Sequence, residues 1–257
     1  MFAKKSLGQN FLMHRQTAER IVDAAKLPEG ALVLEIGPGT GMLTKVLLAK
    51  GYRVIAVEAD NALVPQLEET FSGEGNLALI HSDIRAFNAD TISEPYHVVA
   101  NIPYYITGEI IRQFLTSTHQ PRSMTLLVQK EVAERVARDE KGSILALSIK
   151  AFGVPSYAFT VPKGAFVPAP KVDSAVLHIA DISRDAFPNE GDEERFFTVM
   201  KLGFAHKRKR LPKNLEEGWG RATITEAAAA LGISPDARAE DIPLETWLKL
   251  SAELKSS

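Results

Sequence analysis

The sequence predicts an α/β protein: a mostly parallel, doubly wound sheet with an antiparallel hairpin at one edge, followed by a small all-helical C-terminal domain. Three observations carry that prediction. Between residues 31 and 179, short apolar runs alternate with amphipathic stretches, the pattern of strands joined by crossover helices. The last two apolar runs of that region are separated by a proline-rich loop, residues 162–170, too short to hold a crossover helix, so this pair should be antiparallel. After residue 179 the chain turns acidic and turn-prone through residues 181–194, and from there on only helical patterns remain.

Taken in order, an irregular polar arm leads into a helix over residues 17–25, expected to cover the site. Strands follow at 31–36, 53–57, 77–81, 97–100 and 124–128, separated or followed by helices at 42–50, 61–71, 106–116 and 130–138. The hairpin strands are 158–161 and 175–179. C-terminal helices are expected at 195–205, 224–231 and 244–254. Their start signals are Thr223 or Thr225 before Glu226, Ser234-Pro235, and Pro243. A boundary near residue 185 divides the chain into domains 1–184 and 185–257.

Composition removes several classes of function. At 257 residues there is room for one sizeable core and a small appended domain. With no cysteine, a disulfide framework, a thiolate zinc site and a thiol nucleophile are excluded. The six histidines show no metal-ligand spacing, so no metal is expected. No stretch resembles a signal peptide or a membrane span, so a cytoplasmic protein without membrane contact is expected. A net charge of −2 gives no global positive field, and any nucleic-acid binding must come from local patches.

The informative residues sit where strands end. Leu32-Val33-Leu34-Glu35-Ile36 runs into Gly37-Pro38-Gly39-Thr40-Gly41, a turn whose missing Cβ atoms let a ligand touch backbone. It is not the dinucleotide fingerprint, because Met42 and Thr44 stand where the third glycine would fall. Pro38 also stiffens a turn that would otherwise cradle a pyrophosphate, so a nucleotide lacking phosphates fits better. Glu58 closes the second strand, where a carboxylate can take both hydroxyls of a ribose. Asp83 follows the third, placed to accept an adenine amine, with Ile84 packing on the ring. Either acid alone is a common cap or turn residue. Asn101-Ile102-Pro103-Tyr104 ends the fourth strand. The Asn oxygen and the Ile102 carbonyl can accept both protons of a planar amino group, and Tyr104 can stack on the ring bearing it. In such sheets ligands bind in the crevice outside the carboxyl ends of the strands, and here Gly37, Glu58, Asp83 and Asn101 end four in succession.

These residues resemble the S-adenosylmethionine-dependent methyltransferases that act on exocyclic amines. Lys5-Ser6-Leu7-Gly8-Gln9-Asn10-Phe11-Leu12 is similar to the N-terminal signature of the ribosomal RNA adenine dimethylases of the small subunit. The likeness continues in Val128-Gln129-Lys130-Glu131-Val132-Ala133-Glu134-Arg135 and in Phe166-Val167-Pro168-Ala169-Pro170-Lys171-Val172-Asp173-Ser174-Ala175-Val176. It implies a Rossmann-like, class I methyltransferase fold with S-adenosylmethionine as methyl donor. It also implies that Asn10 and Leu12 touch the methionine end of the cofactor beside Gly37. Glu58 would hold the ribose, Asp83 the adenine, and Asn101 would face both cofactor and target amine. The sequence departs from the family at Lys141-Gly142-Ser143-Ile144-Leu145 and at Ala205-His206-Lys207-Arg208-Lys209-Arg210-Leu211-Pro212-Lys213-Asn214, where basic character survives in altered detail.

The implied substrate is a pair of adjacent adenosines in the 3′-terminal hairpin loop of small-subunit (16S) ribosomal RNA, each dimethylated at N6 on the assembling 30S subunit. An adenine amine is inaccessible within a helix, whereas loop nucleotides are already unpaired. Phe166 is the candidate for the second face of the target stack. Lys207–Arg210 with Lys213 in the C-terminal domain, and Lys4-Lys5 near the entrance, are the candidate RNA contacts. Nothing suggests an obligate interface, so a monomer is expected. The rival readings are an adenine N6-methylase of large-subunit ribosomal RNA, a non-catalytic nucleic-acid-binding relative, and a nicotinamide dehydrogenase disfavoured by the glycine spacing.

Overall fold

A computed structural model describes residues 8–254. The chain runs β1 (Phe11–Leu12), α1 (Arg15–Ala24), β2 (Leu32–Ile36), α2 (Met42–Ala49), β3 (Arg53–Glu58), α3 (Val64–Thr70), β4 (Leu77–His81) and β5 (Tyr96–Asn101). It continues through α4 (Thr107–Leu115), β6 (Met124–Gln129), α5 (Lys130–Ala137), α6 (Ile144–Phe152), β7 (Val154–Val161), β8 (Phe166–Val167) and β9 (Ser174–Ala180). The remainder is helical: α7 (Asp192–Gly203), α8 (Leu211–Trp219), α9 (Arg221–Ala230) and α10 (Leu244–Glu253).

Seven strands form the main sheet in the order β4-β3-β2-β5-β6-β9-β7. The first five are mutually parallel, and β2 and β6 are buried along almost their whole length, as strands covered on both faces must be. The expected hairpin exists, with one difference. β9 inserts between β6 and β7, antiparallel to both, so the edge strand β7 runs the same way as the first five. Strand order reverses between β2 and β5, which opens a crevice at their carboxyl ends.

Two features of the arm were not legible in advance. β1 pairs antiparallel with β8, Phe11 opposite Val167 and Leu12 opposite Phe166, so residues on the arm are anchored to the loop between β7 and β9. The helix expected to cover the site does something else: α1 buries Ala18, Ile21 and Val22 in the core with Val33, Leu43 and Leu47, and none of its residues lines the crevice. The i, i+3, i+4 spacing of those three residues explains the packing. Residues 8–12 do the covering instead.

The chain divides into two compact units, one of residues 1–137 with 154–182, the other of 138–153 with 183–257. The chain thus passes between the units three times, at 137/138, 153/154 and 182/183, whereas the boundary read from composition was a single one at 184/185. In the structure Ser143 caps α6 by accepting the Ala146 N–H, and Phe152 of that helix packs against Phe187 and Phe197. α8 was also unforeseen: Pro212 stands in its first turn, a start signal hidden inside a basic run. Among the described residues no helix is long and apolar enough to cross a membrane.

Candidate active site

The crevice is lined by Asn10 and Leu12 from the arm, Gly37 from the turn after β2 and Glu58 from the end of β3. Asp83, Asn101 and Tyr104 complete the set, so all seven candidate residues meet in one place. Its empty space is about 1030 Å3, open solvent at its mouth included.

The glycine turn takes up backbone conformations that other residues rarely adopt. Gly37, Gly39 and Gly41 all have positive φ, at 63°, 60° and 78°. A Cβ on Gly39 would lie 2.9 Å from the Phe11 ring, and one on Gly41 would lie 2.6 Å from Phe71. At Gly37 nothing stands within 4 Å of that position, so this glycine leaves space within the crevice. The three therefore differ: two admit neighbouring rings, and the third faces open space.

Glu58 is 5% exposed and holds the turn together: Oε2 accepts the Gly39 N–H at 3.1 Å and Oε1 accepts the Asp60 N–H at 2.8 Å. Each oxygen keeps a second lone pair for a ligand hydroxyl. Burial holds its carboxyl above the usual range, opposed by those backbone N–H groups. Asp83 behaves oppositely. Arg85 holds its carboxyl below the usual range by side-chain and backbone hydrogen bonds, with Nη2 2.6 Å from Oδ2. The cap role that an isolated Asp suggests is thus also present: Oδ1 accepts the Arg85 N–H at 2.9 Å.

Asn101 donates from Nδ2 to the Asn10 carbonyl at 2.9 Å, which fixes the amide and leaves Oδ1 as its acceptor. Asn10 in turn donates to the Gly8 carbonyl, and the Gln9 side chain donates to Asp60, so the arm is tied to both the β3 and β5 ends. Tyr104 shares a 2.5 Å hydrogen bond with the buried Ser174 hydroxyl, which fixes the ring, and burial pushes its phenol up.

A third acid, part of the run Glu35–Gly41 in the sequence but given no role of its own there, also faces the crevice. Glu35, 1% exposed, lies within β2 and lines the crevice, and its Oε2 is buried without a hydrogen-bond partner. Burial pushes its carboxyl up to about 8, the charge of Glu58 adding to this and Thr44 opposing it. The available signal was a lone acid inside an otherwise apolar strand. One candidate is withdrawn: Phe166 is 2% exposed and packs with Leu12 and Val176 in the core, so it cannot be one face of a target stack. Lys4 and Lys5, with Ser6 and Leu7, lie outside the described residues. Among the described residues no group of His, Cys, Asp and Glu could hold a metal.

The family described as "Ribosomal RNA adenine dimethylase" matches residues 2–256 of this chain. Ribosomal RNA small subunit methyltransferase A of Dehalococcoides mccartyi is 42% identical over 257 residues, covering 98% of this chain and 88% of that protein. The protein of the same name from Lactococcus lactis is 38% identical over 268 residues, covering 98% and 90%. Among solved structures, the 23S rRNA methyltransferase ErmE superposes with a TM-score of 0.76 at 28% identity, covering 95% of this chain and 99% of that one. A dimethyladenosine transferase from Plasmodium falciparum gives 0.78 at 23% identity, covering 93% and 95%, a likeness of fold.

Proposed function

Because the chain belongs to the ribosomal RNA adenine dimethylases, a methyltransferase family whose methyl donor is S-adenosylmethionine, we propose that its target is small-subunit ribosomal RNA. There it dimethylates N6 of two adjacent adenosines in the 3′-terminal hairpin loop. The protein acts as a cytoplasmic monomer on the assembling 30S subunit, and the C-terminal unit contributes RNA binding.

The residues fit the donor: Gly37 leaves open the space a Cβ would fill, and the partnerless Glu35 Oε2 lines the same crevice. When bound, S-adenosylmethionine supplies a methyl group made electrophilic by its positive sulfur. Glu58 offers its remaining lone pairs to the ribose hydroxyls, and Asp83 accepts the adenine amine. Asn10, Leu12 and the Gly37 backbone border the methionine end. Asn101 Oδ1 and the Ile102 carbonyl take the two protons of the target amine, and Tyr104 stacks on its ring. With both N–H bonds held, the nitrogen lone pair would be left free for transfer, and holding the amine in one orientation would be the contribution of these residues. No general base is needed before attack, because the methylated ammonium is strongly acidic and loses its proton to water.

The single observation that carries this reading is the Asn101 amide, pinned by its nitrogen to the arm so that its oxygen is the group left for a substrate. The large-subunit alternative keeps the fold, as the likeness to ErmE attests. The curated relatives at 38–42% identity bear small-subunit names, which favours that target. Intact Glu58 and Asn101–Tyr104 weigh against a non-catalytic relative. Incubation with immature small subunits and methyl-labelled cofactor, followed by mass spectrometry of RNA fragments, should find dimethyladenosine at two adjacent positions of the terminal hairpin. Label confined to large-subunit RNA would transfer the assignment to the rival.

A further inference from the structure

The run from Phe166 to Val176 carries part of the family likeness, yet none of the described residues lining the crevice belongs to it. Its two ends nonetheless reach residues that do. At one end β8 pairs with the arm, Phe11 opposite Val167 and Leu12 opposite Phe166. At the other, Ser174 opens β9, and its Oγ lies 2.5 Å from the Tyr104 phenol oxygen. Ser174 is 0% exposed, in a strand whose next three residues, Ala175, Val176 and Leu177, are apolar and equally buried. A hydroxyl in such surroundings is tolerated only when it is bonded. The partner found for it among the described residues is Tyr104, 70 residues earlier in the chain.

The two partners differ in how firmly they are held. Ser174 lies opposite Gln129 of β6 on one side and Val161 of β7 on the other. Asp173, just before it, accepts the Lys163 N–H on Oδ1 at 2.9 Å and the Lys130 N–H on its carbonyl at 3.0 Å. Tyr104 instead begins a single short turn of helix, Tyr104–Ile106, and its ring can rotate about two side-chain torsions, the second of them soft. The phenol oxygen is conjugated with the ring, so its hydrogen bonds lie near the ring plane. Tying that oxygen down sets the plane as well as the position.

We propose that Ser174 is a positioning residue for methyl transfer, its hydroxyl fixing the Tyr104 ring in the orientation that stacks on the target base. This rests on the reading of Tyr104 as that ring. Ser174 itself touches neither donor nor substrate and acts through Tyr104 alone. The likeness at 166–176 then has a physical content: the segment seats the arm at its start and the stacking ring at its end.

The full chain and its Tyr104→Phe, Ser174→Ala and doubly substituted variants are compared in single-turnover methyl transfer to immature small subunits. Tyr104→Phe and Ser174→Ala break the same bond from opposite ends, so if one fails to fold the other carries the test. Each should slow transfer by about ten- to 100-fold, the scale of a small misplacement at a reacting group. Calorimetry should find that Ser174→Ala binds S-adenosylhomocysteine as the parent does. The double variant should be no slower than either single one, because Ser174 has no second route to the reaction. Parental transfer by either single variant overturns the proposal. So does a further loss when Ser174→Ala is added to Tyr104→Phe, which would mean that Ser174 supports the sheet and not the ring. Tyr104→Ala separates this inference from the reading beneath it. If that variant transfers methyl as the parent does, Tyr104 is not the stacking ring. If it is crippled while both single variants transfer at the parental rate, Tyr104 keeps its role and only the Ser174 inference falls.

Discussion

Asn101 splits its amide between two tasks, donating to the arm through Nδ2 and keeping Oδ1 for an acceptor role. Asn101→Ala removes both, and the consequences separate by magnitude. Loss of one hydrogen bond to the arm costs about 0.5–1.5 kcal/mol, so cofactor affinity should fall by about ten-fold at most. Loss of orientation at the reacting nitrogen should lower single-turnover methyl transfer by at least about 100-fold. Parallel cofactor titrations and rapid-quench assays check this, and equal losses would show that Asn101 serves the cofactor alone. Glu35 gives a prediction about pH. Its carboxyl titrates near 8 in the folded protein against an ordinary 4.5, so between those values the native form holds a proton that the unfolded chain has lost. Stability from this group is fully present below about 4.5 and is lost as pH rises through about 8, at about 1.4 kcal/mol per pH unit. Urea unfolding of the parent and of Glu35→Gln across that window should therefore give profiles that diverge, the parent falling more steeply. Parallel profiles would mean that Glu35 is ionised when buried.

At the scale of elements, the strand ends were legible because each apolar run stops at a polar or glycine residue, and parallel register then brings those stops side by side: Ile36 lies opposite both Val57 and Ala100, and Glu58 opposite His81. The arm was not legible. Phe11 and Leu12 carry no periodicity, and their pairing with Val167 and Phe166 depends on tertiary contact across most of the chain. Phe166 was misjudged for the same reason, since alternation on a two-residue strand buries it and exposes Val167. Only the resemblance singled out Asn10 and Leu12; their residue types alone did not. The arm's seating can be probed at Gly39, where φ is 60° and an added Cβ would meet Phe11. Gly39→Ala should cost about 1–3 kcal/mol in unfolding free energy and weaken cofactor binding by displacing the arm. Gly51→Ala is the matched control: its φ is 81° but nothing stands within 4 Å, so backbone strain appears without loss of cofactor affinity. Equal cofactor affinities for both variants would detach the arm from the site.

For the whole molecule the question is how a chain of net charge −2 holds a polyanion. Attraction must be local, and the loop between α7 and α8 is the best supply. Lys207, Arg208 and Lys209 are exposed and no ion pair is found for them among the described residues, whereas Arg210 pairs with Asp236 and Lys213 with Glu216. The loop is also held in shape from beneath. Asn214, 4% exposed, donates from Nδ2 to the carbonyls of Gly203 and His206, on either side of the loop's start. A preorganised, unneutralised basic loop binds backbone phosphates without reading sequence. Replacing Lys207, Arg208 and Lys209 by glutamine should therefore weaken hairpin RNA uniformly across loop sequences. It should also reduce the slope of log affinity against log salt by about 0.7–0.9 for each phosphate that is no longer neutralised. S-adenosylhomocysteine binding should not change, since the crevice is built wholly from the sheet-bearing unit. A salt slope that is unaltered while affinity falls would mean that the loop acts through shape, and that the net attraction for RNA is generated elsewhere on the chain.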